Sequence, residues 1–118
     1  MSLIVQKYGG TSVGSVGRIE AVADKIAAFC EKGPEVVVAV SAMSGETNRL
    51  INLAQEVNDN PNRRELDVLL STGEQVSISL LCMALNKRDI QAKSYTGHQV
   101  RILTDNAFGK ARIKDIDS

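Results

Sequence analysis

The sequence has few aromatic residues and no excess of either charge. Only 3% of its 118 residues are aromatic, tryptophan is absent, and fourteen basic residues balance fourteen acidic ones. Proteins that bind nucleic acid without sequence preference need a basic surface, and single-strand binders stack bases on aromatic side chains. This composition therefore argues against nucleic acid as a partner.

Long apolar runs, a leader segment and a cysteine framework are also missing. The longest apolar run, Leu80–Leu85, is far below the roughly 20 residues that a membrane-spanning helix needs. The first seven residues lack the basic and apolar regions of a signal peptide. Cys30 and Cys82 lie in apolar segments, which predicts buried free thiols in a reducing compartment. We therefore expect a soluble, cytoplasmic protein with no membrane partner.

No metal centre is expected. His98 is the only histidine, and it has no cysteine or histidine nearby with which to hold zinc. We interpret it as a loop residue. Nothing in the sequence suggests a Ser-His-Asp arrangement.

Apolar periodicity predicts alternating strands and helices. Short apolar runs predict strands at Leu3–Gln6 and Val36–Val40, the second typical of a strand that is buried on both faces. Helical spacing predicts Val16–Lys32, capped by Ser15 and ended by Gly33-Pro34. A second helix contains Leu50–Val57 and ends near Asn58–Pro61.

The rest of the chain is predicted to continue in the same pattern. We expect a short helical stretch at Glu65–Leu70, a break at Ser71–Gly73, and a longer helix at Glu74–Lys87. The inward side of the longer helix is predicted to carry Val76, Leu80, Leu81, Ala84 and either Met83 or Leu85. Further strands are predicted at Ala92–Tyr95, Val100–Leu103 and Arg112–Ile116.

This order indicates one α/β domain with a mainly parallel sheet. Ligands bind such sheets beyond the carboxyl ends of the strands. The loops Tyr8–Ser15 and Ser41–Gly45 both follow strands. We therefore expect them to meet at one crevice.

The first loop has the chemistry of a phosphate site. Gly9 and Gly10 let the backbone approach an anion closely, and the following helix adds its positive N-terminal end. Lys7 supplies a mobile charge, while Thr11 and Ser12 supply hydroxyl donors. The spacing differs from a Walker A loop and from a dinucleotide fingerprint. The alternative is a glycine turn beside a solvated lysine.

Two further motifs carry polar groups. In Val38–Asn48, Ser41 is interpreted as facing phosphate, with Thr47 and Asn48 facing a second substrate. Alternatively, Ser44 or Thr47 only caps a helix. In Leu70–Gln75, Glu74 lies in the first turn of its predicted helix, where the dipole favours a carboxylate. Alternatively, the Glu74 carboxylate holds an ammonium group of a substrate.

Together these motifs resemble the aspartate kinases of the amino acid kinase family. Lys7–Gly14 resembles the opening K-[FY]-G-G-T-S-V of that family, Val40–Asn48 resembles V-S-A-M-x-x-x-T-[ND], and Leu70–Gln75 resembles L-x-[ST]-x-G-E. Residues 95–99 and 107–113 are also similar to later family segments. The resemblance spans the whole chain.

The resemblance implies a three-layer α/β/α fold that is incomplete in this chain. It also implies ATP-dependent phosphorylation of the β-carboxylate of L-aspartate to 4-phospho-L-aspartate, the first step toward lysine, threonine and methionine. Mg²⁺ is expected to arrive on the nucleotide phosphates, and self-association or a homo-oligomer is expected. Phosphoryl transfer to a carboxylate needs positioning and charge neutralisation but no general base.

Residue roles follow from the same resemblance. Lys7 is expected to be catalytic, stabilising the transferring phosphoryl group. The nucleotide is expected to contact Lys7, Tyr8, Gly9, Gly10, Thr11, Ser12 and Ser41. Aspartate is expected to contact Gly45, Thr47, Asn48 and Glu74, the last through its ammonium group.

The length of the chain bears on which function is expected of it. In the family the catalytic domain continues well beyond Ser118 and regulatory ACT domains follow, so residues 1–118 are expected to be its N-terminal portion and inactive alone. One alternative is a non-catalytic nucleotide- or anion-binding or assembly module of the same fold. Another is a different acceptor such as acetylglutamate, against which Glu74 argues because an acetylated amine carries no charge.

Overall fold

The computed structural model describes residues 3–95, 102–104 and 113–116. Strands and helices alternate at first and are followed by two helices and two short strands. In chain order they are β1 (Leu3–Tyr8), α1 (Val16–Glu31), β2 (Glu35–Val40), α2 (Glu46–Val57), α3 (Arg63–Lys87), β3 (Ile102–Thr104) and β4 (Ile113–Ile116).

The first two strands form the predicted parallel pair. β1 and β2 run in register from Leu3 opposite Glu35 to Tyr8 opposite Val40, and α1 connects them. β1 extends two residues beyond its predicted end, so the interpretation of Tyr8 as a loop residue was wrong. β3 and β4 pair antiparallel in a separate two-stranded sheet.

The core lies between one face of this pair and two helices. Tyr8 of β1 and the even-numbered residues Val36–Val40 of β2 pack against buried side chains of α1 and α3. The core members are Val13, Ile19, Val22, Ala23, Ile26, Leu81, Ala84 and Leu85. Because both helices cover the same face, Leu3, Val5 and Val37 on the other face are exposed. The prediction that β2 is buried on both faces was therefore wrong for the described residues.

α1 has the predicted ends. The Ser15 hydroxyl accepts a hydrogen bond from the Arg18 N–H at 3.3 Å, which caps the first turn. Lys32 closes the last turn. Gly33 then takes φ +105°, a conformation that is strained for other residues.

α3 is the element that differs most from its prediction. A break was predicted at Ser71–Gly73, yet the helix runs unbroken for 25 residues. The hydroxyls of Ser71 and Thr72 donate to the carbonyls of Val68 and Leu69, both at 2.7 Å, so they are satisfied within the helix. Glu74 therefore lies in mid-helix, and its placement in a first turn was wrong.

The faces of α3 also differ from the prediction in part. Leu81, Ala84 and Leu85 are buried, whereas Val76 and Met83 are exposed. By length and composition alone, α3 could cross a membrane, which the count of consecutive apolar residues did not indicate. It packs here against α1, α2 and β2, as the core helix of a folded domain does.

Beyond α3 the prediction was partly wrong. Ala92–Tyr95 has no regular secondary structure, although Ala92 packs against the core. β3 and β4 replace the strands predicted at Val100–Leu103 and Arg112–Ile116 with shifted bounds. His98 and most of residues 95–99 and 107–113 lie outside the described residues.

Both thiols are free but only half-buried, which corrects their predicted burial. Desolvation raises the pKa of the Cys82 thiol. At neutral pH a smaller fraction of Cys82 is therefore in the thiolate form than for an exposed cysteine.

Candidate functional site

Two loops lie side by side where β1 and β2 end. The first loop is residues 9–15 and the second loop is residues 41–45. The Ser41 N–H donates to the Tyr8 carbonyl at 3.1 Å, and the Ser44 hydroxyl donates to the Gly10 carbonyl at 3.3 Å. The predicted meeting of the loops at the carboxyl edge of the sheet is therefore confirmed.

The first loop is a compact double turn. The Ser12 N–H donates to the Gly9 carbonyl at 3.0 Å, and Val13 anchors the loop in the core, where it is fully buried. A Cβ on Gly10 would lie 3.2 Å from the Ala42 carbonyl oxygen, whereas one on Gly9 would meet nothing within 4 Å. The loop is thus tight against its neighbour and open at Gly9, where an anion has room to approach.

The second loop leads into α2, which begins without a side-chain cap. Gly45 is the N-cap of α2 with φ +79°, and no side chain caps the helix. The alternative that Ser44 or Thr47 serves only as a cap was therefore wrong, because Ser44 bonds to the first loop instead. Thr47 and Asn48 are exposed in the first turn of α2.

The segment Leu70–Gln75 contacts the second loop through a glycine. A Cβ on Gly73 would lie 3.0 Å from the Ala42 Cβ and 3.4 Å from the Glu46 Cγ. Only a residue without a side chain lets α3 approach this closely. Glu74 follows directly and is exposed, so the structure brings all three sequence motifs to one edge.

Charged groups at this edge differ in how they are paired. Glu46 accepts two hydrogen bonds from Arg49, at 3.1 and 2.5 Å. These bonds hold the pKa of the Glu46 carboxyl below its usual range and raise that of Arg49. Lys7 and Glu74 are exposed, and neither is paired with another described residue.

Tyr8 belongs to the core side of the edge. Its hydroxyl donates to the Gln6 side chain at 2.8 Å, its ring packs against the core, and burial raises its pKa. Lys7 lies on the opposite, exposed face of β1. Of these two residues, only Lys7 presents its side chain to solvent beside the first loop.

The arrangement combines glycine backbone, hydroxyls and one free ammonium group, which suits an anion with several oxygens. Within residues 3–95, no group of three or more histidine, cysteine, aspartate or glutamate side chains is placed to hold a metal. Sequence reasoning missed Ser44, Gly14 and Gly73 as contacts between the motifs. Their small size was the available signal, but small residues are common in loops.

Comparison with known sequences shows which family the chain matches. The profile of the amino acid kinase family matches residues 2–117. The chain is 64% identical to an aspartate kinase of Stutzerimonas stutzeri, over 100% of this chain and 29% of that protein. It is 67% identical to an aspartokinase of Pseudomonas aeruginosa, over 99% of this chain and 28% of that protein. The chain thus spans under a third of the length of these relatives.

Solved structures give the same fold. An aspartate kinase from Synechocystis superposes with a TM-score of 0.81 at 57% identity, covering 84% of this chain and 17% of that one. Aspartokinase III of E. coli, solved in complex with aspartate and ADP, also gives 0.81, at 22% identity and over 96% of this chain and 35% of that one. These neighbours confirm the predicted α/β fold, of which the chain holds a part.

Proposed function

This chain belongs to the amino acid kinase family, and we propose that it supplies the phosphate-binding edge of an aspartate kinase. The reaction is transfer of the γ-phosphoryl group of ATP to the β-carboxylate of L-aspartate, giving 4-phospho-L-aspartate. The protein that performs it is the complete gene product, meaning the whole polypeptide encoded by the reading frame that contains residues 1–118. Relatives named aspartate kinase or aspartokinase at 64–67% identity support this substrate.

One observation carries the proposal: the contact between the two loops, with Ser44 bonded to Gly10 at 3.3 Å. This contact brings the two loops together, which supports the proposal that the backbone of Gly9 and Gly10, the hydroxyls of the first loop and Ser41 surround one space. The nucleotide phosphates occupy this space, held by Gly9, Gly10, Thr11, Ser12 and Ser41. Tyr8 contributes by fixing the end of β1 through its carbonyl bond to Ser41.

Lys7 is the catalytic group of this proposal. It extends from the exposed face of β1 immediately before the first loop, and it has no described partner that would compete for its charge. A positioned ammonium group stabilises the charge on the transferring phosphoryl group. The attacking carboxylate is already ionised at neutral pH, so these residues need not remove a proton.

Aspartate lies on the side of α2 and α3. Thr47 and Asn48 offer polar groups at the start of α2, beside Gly45, which leaves that helix without a side-chain cap. Glu74 pairs with the ammonium group of aspartate, since its carboxylate has no cationic partner among the described residues. An acetylated substrate lacks this charge, so aspartate is favoured over acetylglutamate.

Mg²⁺ is expected to bind at this edge together with the nucleotide. A Cβ on Gly9 would meet nothing within 4 Å, so the backbone there is open to a phosphate group, and we assign the metal to the phosphates. When bound, it neutralises phosphate charge. The proposal also places the protein in the cytoplasm, in a homo-oligomer.

A coupled assay of ADP release tests the function. The complete gene product is supplied with Mg-ATP and either aspartate or acetylglutamate, and turnover is expected only with aspartate. A chimera in which this chain replaces the matched stretch of the Pseudomonas aeruginosa aspartokinase is the second material. Aspartate kinase activity in the chimera supports the assignment of the edge. An inactive but folded chimera that still binds nucleotide favours the alternative of a non-catalytic binding module.

Residues 1–118 alone are expected to show no turnover. They hold the first loop, the second loop and Glu74, but phosphoryl transfer needs both substrates held in line. Turnover by mass-verified 1–118 material above that of a Lys7→Ala control contradicts this assignment of a partial site.

A further inference from the structure

Ser44 makes the one side-chain hydrogen bond between the two loops among the described residues. Its hydroxyl donates to the Gly10 carbonyl at 3.3 Å. Ser44 is exposed and does not cap α2, whose N-cap is Gly45. Its hydroxyl therefore serves the first loop and not the helix that it precedes.

The bond fixes a particular peptide plane. In a trans peptide the carbonyl oxygen and the following N–H point in opposite directions, and the described chain has no cis peptide. When the Gly10 carbonyl points at Ser44, the Thr11 N–H points away from the second loop. A glycine at position 10 would otherwise let this plane rotate easily.

Gly14 makes room for the same hydroxyl. A Cβ at this position would lie 2.5 Å from the Ser44 Oγ, 3.3 Å from the Ser44 Cβ and 3.2 Å from the Gly10 carbonyl oxygen. Such a contact is too short, so a side chain at position 14 would push the hydroxyl away from Gly10. Gly14 and Ser44 thus form one unit, in which the glycine admits the hydroxyl and the hydroxyl orients the loop.

We propose that Ser44 is a positioning residue that orients the Gly10–Thr11 peptide so that the Thr11 N–H faces the nucleotide phosphates. This inference rests on the proposed function. Ser44 itself does not touch the nucleotide. Its loss therefore weakens nucleotide binding through the first loop and leaves the aspartate side of the site intact.

Calorimetric titration of the complete gene product with Mg-ADP, without aspartate, tests the inference. Ser44→Ala is expected to weaken Mg-ADP binding about fivefold, the equivalent of one neutral hydrogen bond. The KM for aspartate and the Tm should match those of the parent. Ser44→Thr keeps a hydroxyl and is expected to restore the parent affinity.

Ser79→Ala is the matched control. Ser79 is also an exposed serine whose hydroxyl donates to a backbone carbonyl, that of Gln75 at 2.8 Å, but it lies on α3 away from the loops. It should leave the Mg-ADP affinity unchanged. If Ser44→Ala also leaves the affinity unchanged, or lowers only the Tm, Ser44 has no positioning role and the inference is wrong.

A double-variant cycle gives a second measurement. Gly14→Ala displaces the Ser44 hydroxyl and should weaken Mg-ADP binding at least as much as Ser44→Ala. A Cβ at position 14 also crowds the Gly10 carbonyl oxygen, at 3.2 Å, so Gly14→Ala can cost more than the one bond. Adding Ser44→Ala to Gly14→Ala should then cost less than Ser44→Ala costs in the parent, because the bond is already lost. Additive losses contradict the inference. If the parent binds no Mg-ADP, the proposed function fails; if the parent binds and the Ser44 variants bind equally well, only this inference fails.

Discussion

Polar groups are used differently in two regions of the molecule. One is the seam, meaning the interface of α1 with α3 and its C-cap Arg88; the other is the edge formed by the two loops. At the seam, Arg88 donates to Glu20 at 2.6 Å and to Asp24 at 2.8 Å, and Lys87 donates to Glu20 at 2.9 Å. At the loop edge, Lys7, Thr47, Asn48 and Glu74 are exposed and bond to no other described side chain. The charges at the seam pair between elements, whereas at the edge Glu46 pairs with Arg49 and the Lys7 and Glu74 charges stay available to a ligand.

Packing shows the same contrast. The seam buries branched side chains such as Ile26 and Leu81, where any lost volume costs stability. The loop edge is built from glycines and small hydroxyl residues in close backbone contact. Variants at the seam should therefore change stability, and variants at the edge should change binding and turnover.

Leu81→Ala should give the largest effect on stability. Leu81 is 4% exposed in the core, so its truncation should lower the free energy of unfolding by about 2–5 kcal/mol. Met83→Ala is the control, because Met83 is 64% exposed on the same helix and should cost under about 0.5 kcal/mol. Chemical denaturation measures both. Equal losses would contradict the assigned faces of α3.

Lys7→Ala should give the largest effect on turnover. We expect kcat to fall by at least about 100-fold, similar to the loss of one preorganised donor, with an unchanged Tm because the side chain is exposed. Lys25→Ala on the exposed side of α1 is the control. Steady-state kinetics with aspartate and ATP measure the change. Near-parent turnover of Lys7→Ala would remove its catalytic role.

Glu74→Gln should affect aspartate more than ATP. Loss of a charge-assisted bond should weaken aspartate by roughly 1–3 kcal/mol, read as a higher KM for aspartate at a constant KM for ATP. Glu65→Gln is the control, because Glu65 does lie in the first turn of α3 and should lose only its helix-dipole contribution and its exposed ion pair with Arg64 at 3.5 Å, with no change in the KM for aspartate. An unchanged KM for aspartate in Glu74→Gln would leave this residue without a role in the site.

The smallest expected effect is the pH dependence of the seam. Hydrogen bonds from Arg88 and then Lys87 hold the pKa of Glu20 below its ordinary 4.5. A carboxyl with a lowered pKa stabilises the fold above its unfolded-state pKa and loses that contribution as the pH falls through its folded-state value. The Tm deficit of Glu20→Gln should therefore be present at pH 7 and shrink below about pH 4.5.

Glu31→Gln, at an exposed glutamate of α1, is the reference for that pH series. It should show no deficit at pH 7 comparable with that of Glu20→Gln. A deficit of Glu20→Gln that stays constant down to pH 3 would show that the ion cluster does not contribute through the Glu20 charge.

Sequence reasoning succeeded where one local pattern determines the structure. Apolar spacing and capping residues predicted α1 almost to its ends, and the rule for parallel sheets predicted that the two loops meet. Glu74 failed because Ser71-Thr72-Gly73 has the composition of a break. Whether such a segment breaks a helix depends on a tertiary contact, here the approach of Gly73 to Ala42, which no local pattern reveals.

The same limit explains the other errors. Val36–Val40 is apolar enough for burial on both faces, but within the described residues both helices lie on one side of it. The role of Ser44 depends on a distance across 34 residues of sequence. The roles of Ser41, Thr47 and Asn48 were predicted from residue type, from their position after a strand and from the resemblance to aspartate kinases, and they remain predictions.

Hydrogen–deuterium exchange of the complete gene product with and without Mg-ADP tests the central claim most directly. If the two loops hold the nucleotide phosphates, saturating Mg-ADP should slow amide exchange in residues 9–15 and 41–45. Exchange in residues 20–28 of α1 and 80–87 of α3, at the seam, should stay unchanged. Saturation confirmed by calorimetry together with unchanged exchange in both loops would contradict the account, since the nucleotide would then bind elsewhere.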